Sequence, residues 1–374
     1  MATISLCMIV KNEEKLLRRC LDSVHDLVDE IVIVDTGSND LTKEIASEYT
    51  DKIFDFEWID DFSAARNFSF SKCSMDYIYV ADADEYLDDE NRFQFTALKD
   101  NLYPEIEIVQ MMYETISHDT VLNVYKEYRP KLFKRLREFT WINPVHETVR
   151  LDPLVFDSDV VVTHDPDGNH AKRDFSIFEK VVARDGSLPD DLLKMYATEL
   201  YKNGSVEDFE KAASYFVKLE GEISFTPLEY YSIPISVKRL RITNDSSFED
   251  YALCLLDVVS DGQYNEPSYK NISEVCYELG EYYIEKNEYD KAYEFFKKAY
   301  EGESILDIHT SGDYAIKRLI HSCEKVIEQY NNYKNINGSD DTMEKLLKEF
   351  SSLREKYVKE LGDWKMPEEV LPFF

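Results

Sequence analysis

Residues 77–87 read YIYVADADEYL, from Tyr77 to Leu87. The stretch begins with the aromatic and β-branched residues of a buried strand. It then delivers three carboxylates, Asp82, Asp84 and Glu85, within four positions. Like charges so close repel, so the cluster is either a solvated strand end or the seat of something positive. If the strand continues, alternate side chains share a face, and the spacing predicts that Asp82 and Asp84 point the same way. Two ionised carboxylates that approach each other need a proton or a divalent cation between them. Mg²⁺ or Mn²⁺ suits oxygen ligands and can carry the phosphates of a nucleotide in its outer positions. An isolated Asp-x-Asp is a common accident in an acidic chain, so its weight depends on what surrounds it.

Upstream, residues 3–10 (TISLCMIV) are a short apolar run, followed by Lys11-Asn12-Glu13-Glu14 and then by Leu16, Leu17, Cys20, Leu21 and Val24 at helical spacing. EIVIVD (30–35) is continuous and apolar, as in a strand buried on both faces. It stops at TGSND, a turn cluster that can also cap a helix. KIFDFEW predicts a third strand, DFSAARNFSFSKC a third helix, and YIYVADADE a fourth strand. Alternation of this kind implies a mostly parallel sheet with helices on both faces. Ligands of such sheets bind at the carboxyl ends of the strands. Three polar clusters are therefore predicted on one edge: those after the first and second strands, and Asp82-Ala83-Asp84-Glu85 after the fourth. Neither GxGxxG nor GxxxxGK[ST] follows the first strand, which disfavours a Rossmann dinucleotide site or a P-loop.

Between residues 104 and 164 the chain reads as extended segments, and helix returns after about residue 171. The segment YELGEYYIEKNEYDKAYEFFKKAYEGES places Leu279, Gly280, Tyr283, Ala292, Phe296 and Ala299 at tetratricopeptide spacing. Gly280 and Ala292 are small where two helices approach, and Phe296 is expected to fill the gap between repeats. A weaker copy contains Ala212 and Phe216, and a third centres on Ala252 and Leu256. The expected organisation is an α/β domain over residues 1–170 and an all-α, tetratricopeptide-like helical array over 171–374. MEKLLKEFSSLREKYVKELGDW is expected to cap the array.

The 374 residues carry a net charge of −32, which argues against nucleic acid or anionic lipid as a partner, since both are polyanions. No run of about 18 apolar residues predicts a membrane span, and the N-terminus lacks the basic leader and cleavage site of a signal peptide. The six cysteines are scattered, without a CxxC pair, and five fall in apolar periodic segments. Reduced, buried thiols and a cytoplasmic location are the expectation.

The series CMIVKNEE, EIVIVDTGSND, DDFSAARN and ADADEYL resembles the family 2 glycosyltransferases of the GT-A fold, in the family's order and approximate spacing. The resemblance covers roughly residues 3–170. The helical tail is further similar to the bacterial subgroup that includes the sublancin S-glycosyltransferase. What the resemblance implies is a transferase using a nucleotide-activated sugar, a UDP-sugar such as UDP-glucose above all, with Mn²⁺ or Mg²⁺. It implies that Asn12, Glu13 and Asp35 hold the base and ribose, with Val10, Arg66, Asp82 and Ala83 completing the nucleotide-sugar site. Asp82 and Asp84 would hold the metal, with His164, which closes VVVTH, as third ligand. His146-Glu147 in WINPVHETVR matches a His-Glu pair of the subgroup. Glu147 is thereby the expected base and Asp84 the second catalytic residue, with His146 as an alternative for the base or for the third metal ligand. Glu85 is expected to act electrostatically, unless its neighbour Asp84 already saturates the metal. A hydroxyl or thiol acceptor needs such a base, and in an inverting displacement it must lie opposite the leaving group. The family's usual glutamate-aspartate base motif and its membrane helices are both missing, which argues against a processive polysaccharide synthase.

The leading expectation is a metal-dependent, inverting transfer to Ser, Thr or Cys of a protein or peptide. A cell-envelope polysaccharide or glycolipid precursor is the alternative acceptor. A nucleotidyltransferase or phosphohydrolase should show a basic phosphate loop after the first strand, where only Lys11 stands. A non-catalytic repeat scaffold has no use for mutually repelling carboxylates. An edge of the helical array is suited to a homodimer.

Overall fold

A computed structural model of the protein describes residues 2–115, 126–136, 141–142, 148–149, 152–166, 171–216, 226–260, 272–337 and 341–363. These residues divide into two compact units, one up to residue 166 and one from residue 171.

The first unit alternates β1 (Ile4–Val10), α1 (Leu17–Val24), β2 (Glu30–Asp35), α2 (Thr42–Ser47), β3 (Ile53–Asp55), α3 (Phe62–Phe70) and β4 (Tyr77–Val80). It continues with β5 (Glu85–Tyr86), α4 (Asp89–Asn101), β6 (Ile108–Thr115) and β7 (Lys126–Lys134). The short strands β8 (Trp141–Ile142) and β9 (Thr148–Val149) pair with each other, and β10 (Val155–His164) closes the unit. The sheet has the order β3-β2-β1-β4-β7-β6-β10-β5, with β7 and β5 antiparallel to their neighbours and every other pairing parallel. This is the α/β sheet flanked by helices that the alternation predicts, of the GT-A type that the resemblance implies.

Strand alternation sorts the core. Leu6, Met8, Ile31 and Ile33 face the larger cluster with Leu17, Leu21, Ile45 and Phe95 of α1, α2 and α4. Cys7, Val32 and Ile78 face a smaller cluster with Cys73 and Phe70 beside α3. Both faces are thus covered, which is why EIVIVD is apolar throughout. Of the six cysteines, five are buried and Cys254 is exposed.

One acidic side chain braces the opposite, N-terminal end of this sheet. Glu30 accepts from Lys52, from the hydroxyl of Ser5, and from the N–H and hydroxyl of Ser74 at 2.7 and 2.8 Å. Burial pushes its carboxyl up, but the donors from Lys52, Ser5 and Ser74 outweigh that and bring it down to about 2. A carboxylate whose folded pKa lies below its unfolded one stabilises fully above the unfolded value. That contribution drains away as the pH falls toward 2. In denaturant titrations across this range, the wild type should lose stability on acidification more steeply than Glu30→Gln. Parallel curves for the two proteins would refute this role for Glu30.

The second unit is helical: α5 (Ala171–Asp185), α6 (Asp190–Asn203), α7 (Val206–Ala212), α8 (Pro227–Ile242), α9 (Phe248–Ser260), α10 (Ser273–Glu285), α11 (Tyr289–Tyr300), α12 (Asp313–Asn337) and α13 (Asp341–Asp363). Ala212, Ala252 and Ala292 all lie buried, on α7, α9 and α11. The strongest repeat is the α10–α11 hairpin. A Cβ on Gly280 would stand 2.6 Å from the ring of Phe296. Phe296 therefore fills the space left by Gly280 where the two helices of the hairpin approach. Overpacking of this kind costs about 1–3 kcal/mol. Gly280→Val should lower the denaturant midpoint accordingly, and an unchanged midpoint would contradict the packing described.

Candidate functional site

The strands β1, β2, β4, β6 and β10 run the same way, so Val10, Asp35, Val80, Thr115 and His164 end on one edge of the sheet. The loops after β1 and β2 are knitted together there. Thr36 donates to the Val10 carbonyl through its N–H at 3.0 Å and its hydroxyl at 3.2 Å. Asn12 adopts a left-handed backbone, φ 57°, which asparagine tolerates. Its N–H donates to Ser38 Oγ and its Oδ1 accepts from the Asn39 N–H, both at 2.9 Å. The Glu13 N–H donates to Thr42 Oγ1 at 2.7 Å, and the Glu13 carbonyl accepts from Leu16 and Leu17 as α1 begins.

Asp35 is held by this loop pair and is 1% exposed. Its Oδ1 accepts from the N–H groups of Gly37 and Ser38 at 2.9 Å, and Lys43 Nζ lies 3.7 Å away. Gly37 makes the tight return with φ 101°. Asp35 Oδ2 is buried and has no hydrogen-bond partner among the described residues. Leaving a buried charged oxygen unmatched is costly, so this atom fits a donor brought by a ligand.

The acidic turn follows β4. That strand ends at Val80, so Asp82 and Asp84 do not lie on an extended segment, and the shared face predicted from their spacing is not formed. Instead the Glu85 N–H donates to the Asp82 carbonyl at 3.1 Å, closing a turn. The Asp82 N–H donates to Glu85 Oε2 at 3.3 Å. The two aspartates then diverge. Asp82 has a 54% exposed side chain with Arg66 Nη2 at 3.5 Å. Asp84 is 16% exposed, and its Oδ2 lies 3.0 Å from His164 Nε2. The other ring nitrogen of His164 faces Thr115 Oγ1 at 3.4 Å, and its ring stacks on Tyr113 with centroids 5.1 Å apart. Ala83 is buried between the two aspartates.

Arg66 reaches the turn because α3 is started by Asp61, whose side chain accepts the Ala64 N–H at 3.0 Å. Its Nη1 is buried with no hydrogen-bond partner among the described residues, which leaves a donor for an anion. The chemistry of Asp82, Asp84 and His164, two carboxylates and an imidazole, suits Mn²⁺ or Mg²⁺. Among the described residues, no three acidic, histidine or cysteine side chains are gathered closely enough to hold an ion. Asp84 and His164 already meet, whereas Asp82 is turned toward Arg66. His146 and Glu147 lie outside the described residues.

Glu85 does not face a ligand. It is 1% exposed, and both its oxygens accept from Lys131 Nζ, at 2.6 and 2.8 Å. Burial raises its carboxyl pKa, Lys131 opposes that, and the nearby Asp82 adds to it, for a net shift upward. Removing one partner of such a pair typically costs about 3–5 kcal/mol. Lys131, Tyr113 and Thr115 were not foreseen, because nothing in their local sequence says which strand they will face. A lysine set in the strand sequence RPKLFK was the available signal.

Residues 5–147, which take in most of the α/β unit, match the model of Glycosyl transferase family 2. Among relatives, a TPR repeat-containing protein of Synechococcus elongatus is 38% identical over 161 residues, 40% of this chain and 36% of that protein. The SPbeta prophage-derived glycosyltransferase SunS of Bacillus subtilis is 24% identical over 93% of this chain and 83% of its own length. The chain thus spans only about a third of the cyanobacterial relative but most of SunS. Among solved structures, glucosyl-3-phosphoglycerate synthase of Mycobacterium tuberculosis, in complex with Mn²⁺, UDP-glucose and phosphoglyceric acid, is 15% identical. It covers 50% of this chain and 81% of its own, with a TM-score of 0.36. No helix among the described residues is long and apolar enough to cross a membrane.

Proposed function

We propose that the protein is a metal-dependent, inverting glycosyltransferase that moves a sugar from a UDP-sugar to a Ser, Thr or Cys side chain of a protein or peptide. The observation that carries this reading is the buried Asp35 carboxylate, one oxygen tied to its loop and the other unmatched. It stands on the same sheet edge as the acidic turn. A ribose hydroxyl is the neutral donor that Asp35 Oδ2 is placed to receive, with the loop of Asn12 and Glu13 beside it. Arg66 Nη1 is available to a diphosphate oxygen.

Asp84 and His164 would hold Mn²⁺ or Mg²⁺, with Asp82 turned from Arg66 to join them. When bound there, the ion would supply charge neutralisation to the departing diphosphate. Glu147 is the proposed base for the acceptor, on a segment separate from the Asp84 turn, as displacement from the opposite face requires. The peptide acceptor is supported by the resemblance to the sublancin-type enzymes, by the match to SunS along most of the chain, and by helical hairpins suited to holding a peptide. The helical unit is also the proposed surface for a homodimer, and the cytoplasm the proposed location.

Calorimetry with UDP, GDP, UDP-glucose, UDP-N-acetylglucosamine and GDP-mannose, with and without Mn²⁺, tests the donor site. Metal-enhanced binding of UDP and one UDP-sugar is expected, and no binding of any nucleotide would overturn the reading. Asp84→Ala should keep its fold and lose at least about 100-fold in turnover, since several kcal/mol of charge stabilisation go with the ion. Undiminished turnover would count against the assignment. Asp35→Asn keeps an acceptor for Gly37 and Ser38 but puts an NH₂ where the ribose hydroxyl should donate. UDP affinity should drop about 10-fold or more while Mn²⁺ affinity holds. The reverse pattern would place Asp35 elsewhere in the chemistry.

A further inference from the structure

The acidic turn is pinned at both of its ends by groups that no ligand can reach or that lie outside the turn itself. At one end Glu85 receives the Asp82 N–H on its side chain and returns its own N–H to the Asp82 carbonyl. At the other, the Asp84 carbonyl accepts from the Asp165 N–H at 2.9 Å and from Arg19 Nη2 at 3.5 Å. Glu85 can play its part only if its carboxylate stays in an apolar site, and what keeps it there is Lys131. This lysine comes from β7, 46 positions away, and donates to both oxygens. The two side chains are 2% and 6% exposed, so neither is placed to touch substrate. Buried ion pairs add little net stability compared with apolar packing of the same volume. What this pair does supply is a fixed acceptor at the Asp82 amide.

We infer that Lys131 is a positioning residue for the Asp82-Ala83-Asp84 turn. By anchoring Glu85, it sets the backbone from which both aspartates project, and through it the affinity of the turn for a divalent ion. The inference rests on the donor-site reading given above. Without the lysine, the Glu85 carboxylate moves toward water, the Asp82 amide loses its acceptor, and the aspartates lose their common frame.

The test uses the full chain and measures Mn²⁺ affinity, UDP affinity without metal, and folding, in the wild type, Lys131→Met and Lys131→Arg. In folded Lys131→Met, Mn²⁺ affinity should fall about 10- to 100-fold, the range found when groups supporting metal ligands are removed. Metal-free UDP affinity should stay near the wild-type value, because Asp35 is untouched. Lys131→Arg should recover most of the loss. A folded Lys131→Met with wild-type Mn²⁺ affinity and only a lower melting temperature would overturn the inference. If Lys131→Met does not fold, Lys131→Gln/Glu85→Gln takes its place with the same two outcomes, since it leaves no buried charge without its partner. Should the wild type bind neither Mn²⁺ nor UDP, the donor-site reading fails. Hydrogen exchange at the Asp82 amide then decides the positioning role by itself. Faster exchange in the variant supports it, and unchanged exchange sinks it.

Discussion

Carboxylates crowd the carboxyl edge of this sheet, and the arrangement of that edge follows from how their repulsion is met. Two unit charges 4 Å apart interact by about 4 kcal/mol at an effective dielectric near 20, so four acidic groups cannot share an edge uncompensated. Each has a different answer. Asp35 is met by two backbone N–H groups and Lys43, Asp82 by Arg66, Asp84 by His164, and Glu85 by Lys131. The compensation is complete for Glu85 and incomplete for Asp35, where one buried oxygen has no donor among the described residues. That difference separates a carboxylate closed off inside the fold from the one we propose receives a ligand.

The fold makes this distribution possible. Parallel strands put the ends of β1, β2 and β4 side by side, and helices on both faces bury the strands that lead to them. The antiparallel β7 then enters between β4 and β6 and brings Lys131 back to the same edge. A purely parallel arrangement would leave Glu85 without its cation. In the helical unit, close approach has a simpler basis: a glycine on one helix admits an aromatic ring from the next.

Much of this was legible in the residues. The apolar runs, their alternation with helical periodicity, and the turn clusters marked both the sheet and the edge where Asn12, Asp35, Asp82 and His164 gather. The tetratricopeptide spacing marked the α10–α11 hairpin. The reading failed where it extended a strand too far. YIYV is strand, but the chain turns at Asp82, because a reciprocal pair of hydrogen bonds with Glu85 replaces the ladder. Asp82 and Asp84 therefore face different partners, where simple alternation would have set them side by side. Glu85, read as part of an electrostatic cluster, is a buried member of an ion pair.

The amino-acid sequence by itself determined the class of sheet, the edge that carries the polar ends, and the helical character of the second unit. Each depends on patterns a few residues long, and hydrophobic burial responds to such patterns wherever they lie. Only the tertiary structure decided which carboxylate is compensated and which is left open. The partners that settle it, Lys131 for Glu85 and His164 for Asp84, stand 46 and 80 positions away. Ion pairs and hydrogen bonds act through space over a few ångströms, and the register of β7 and β10 decides which groups fall within that reach.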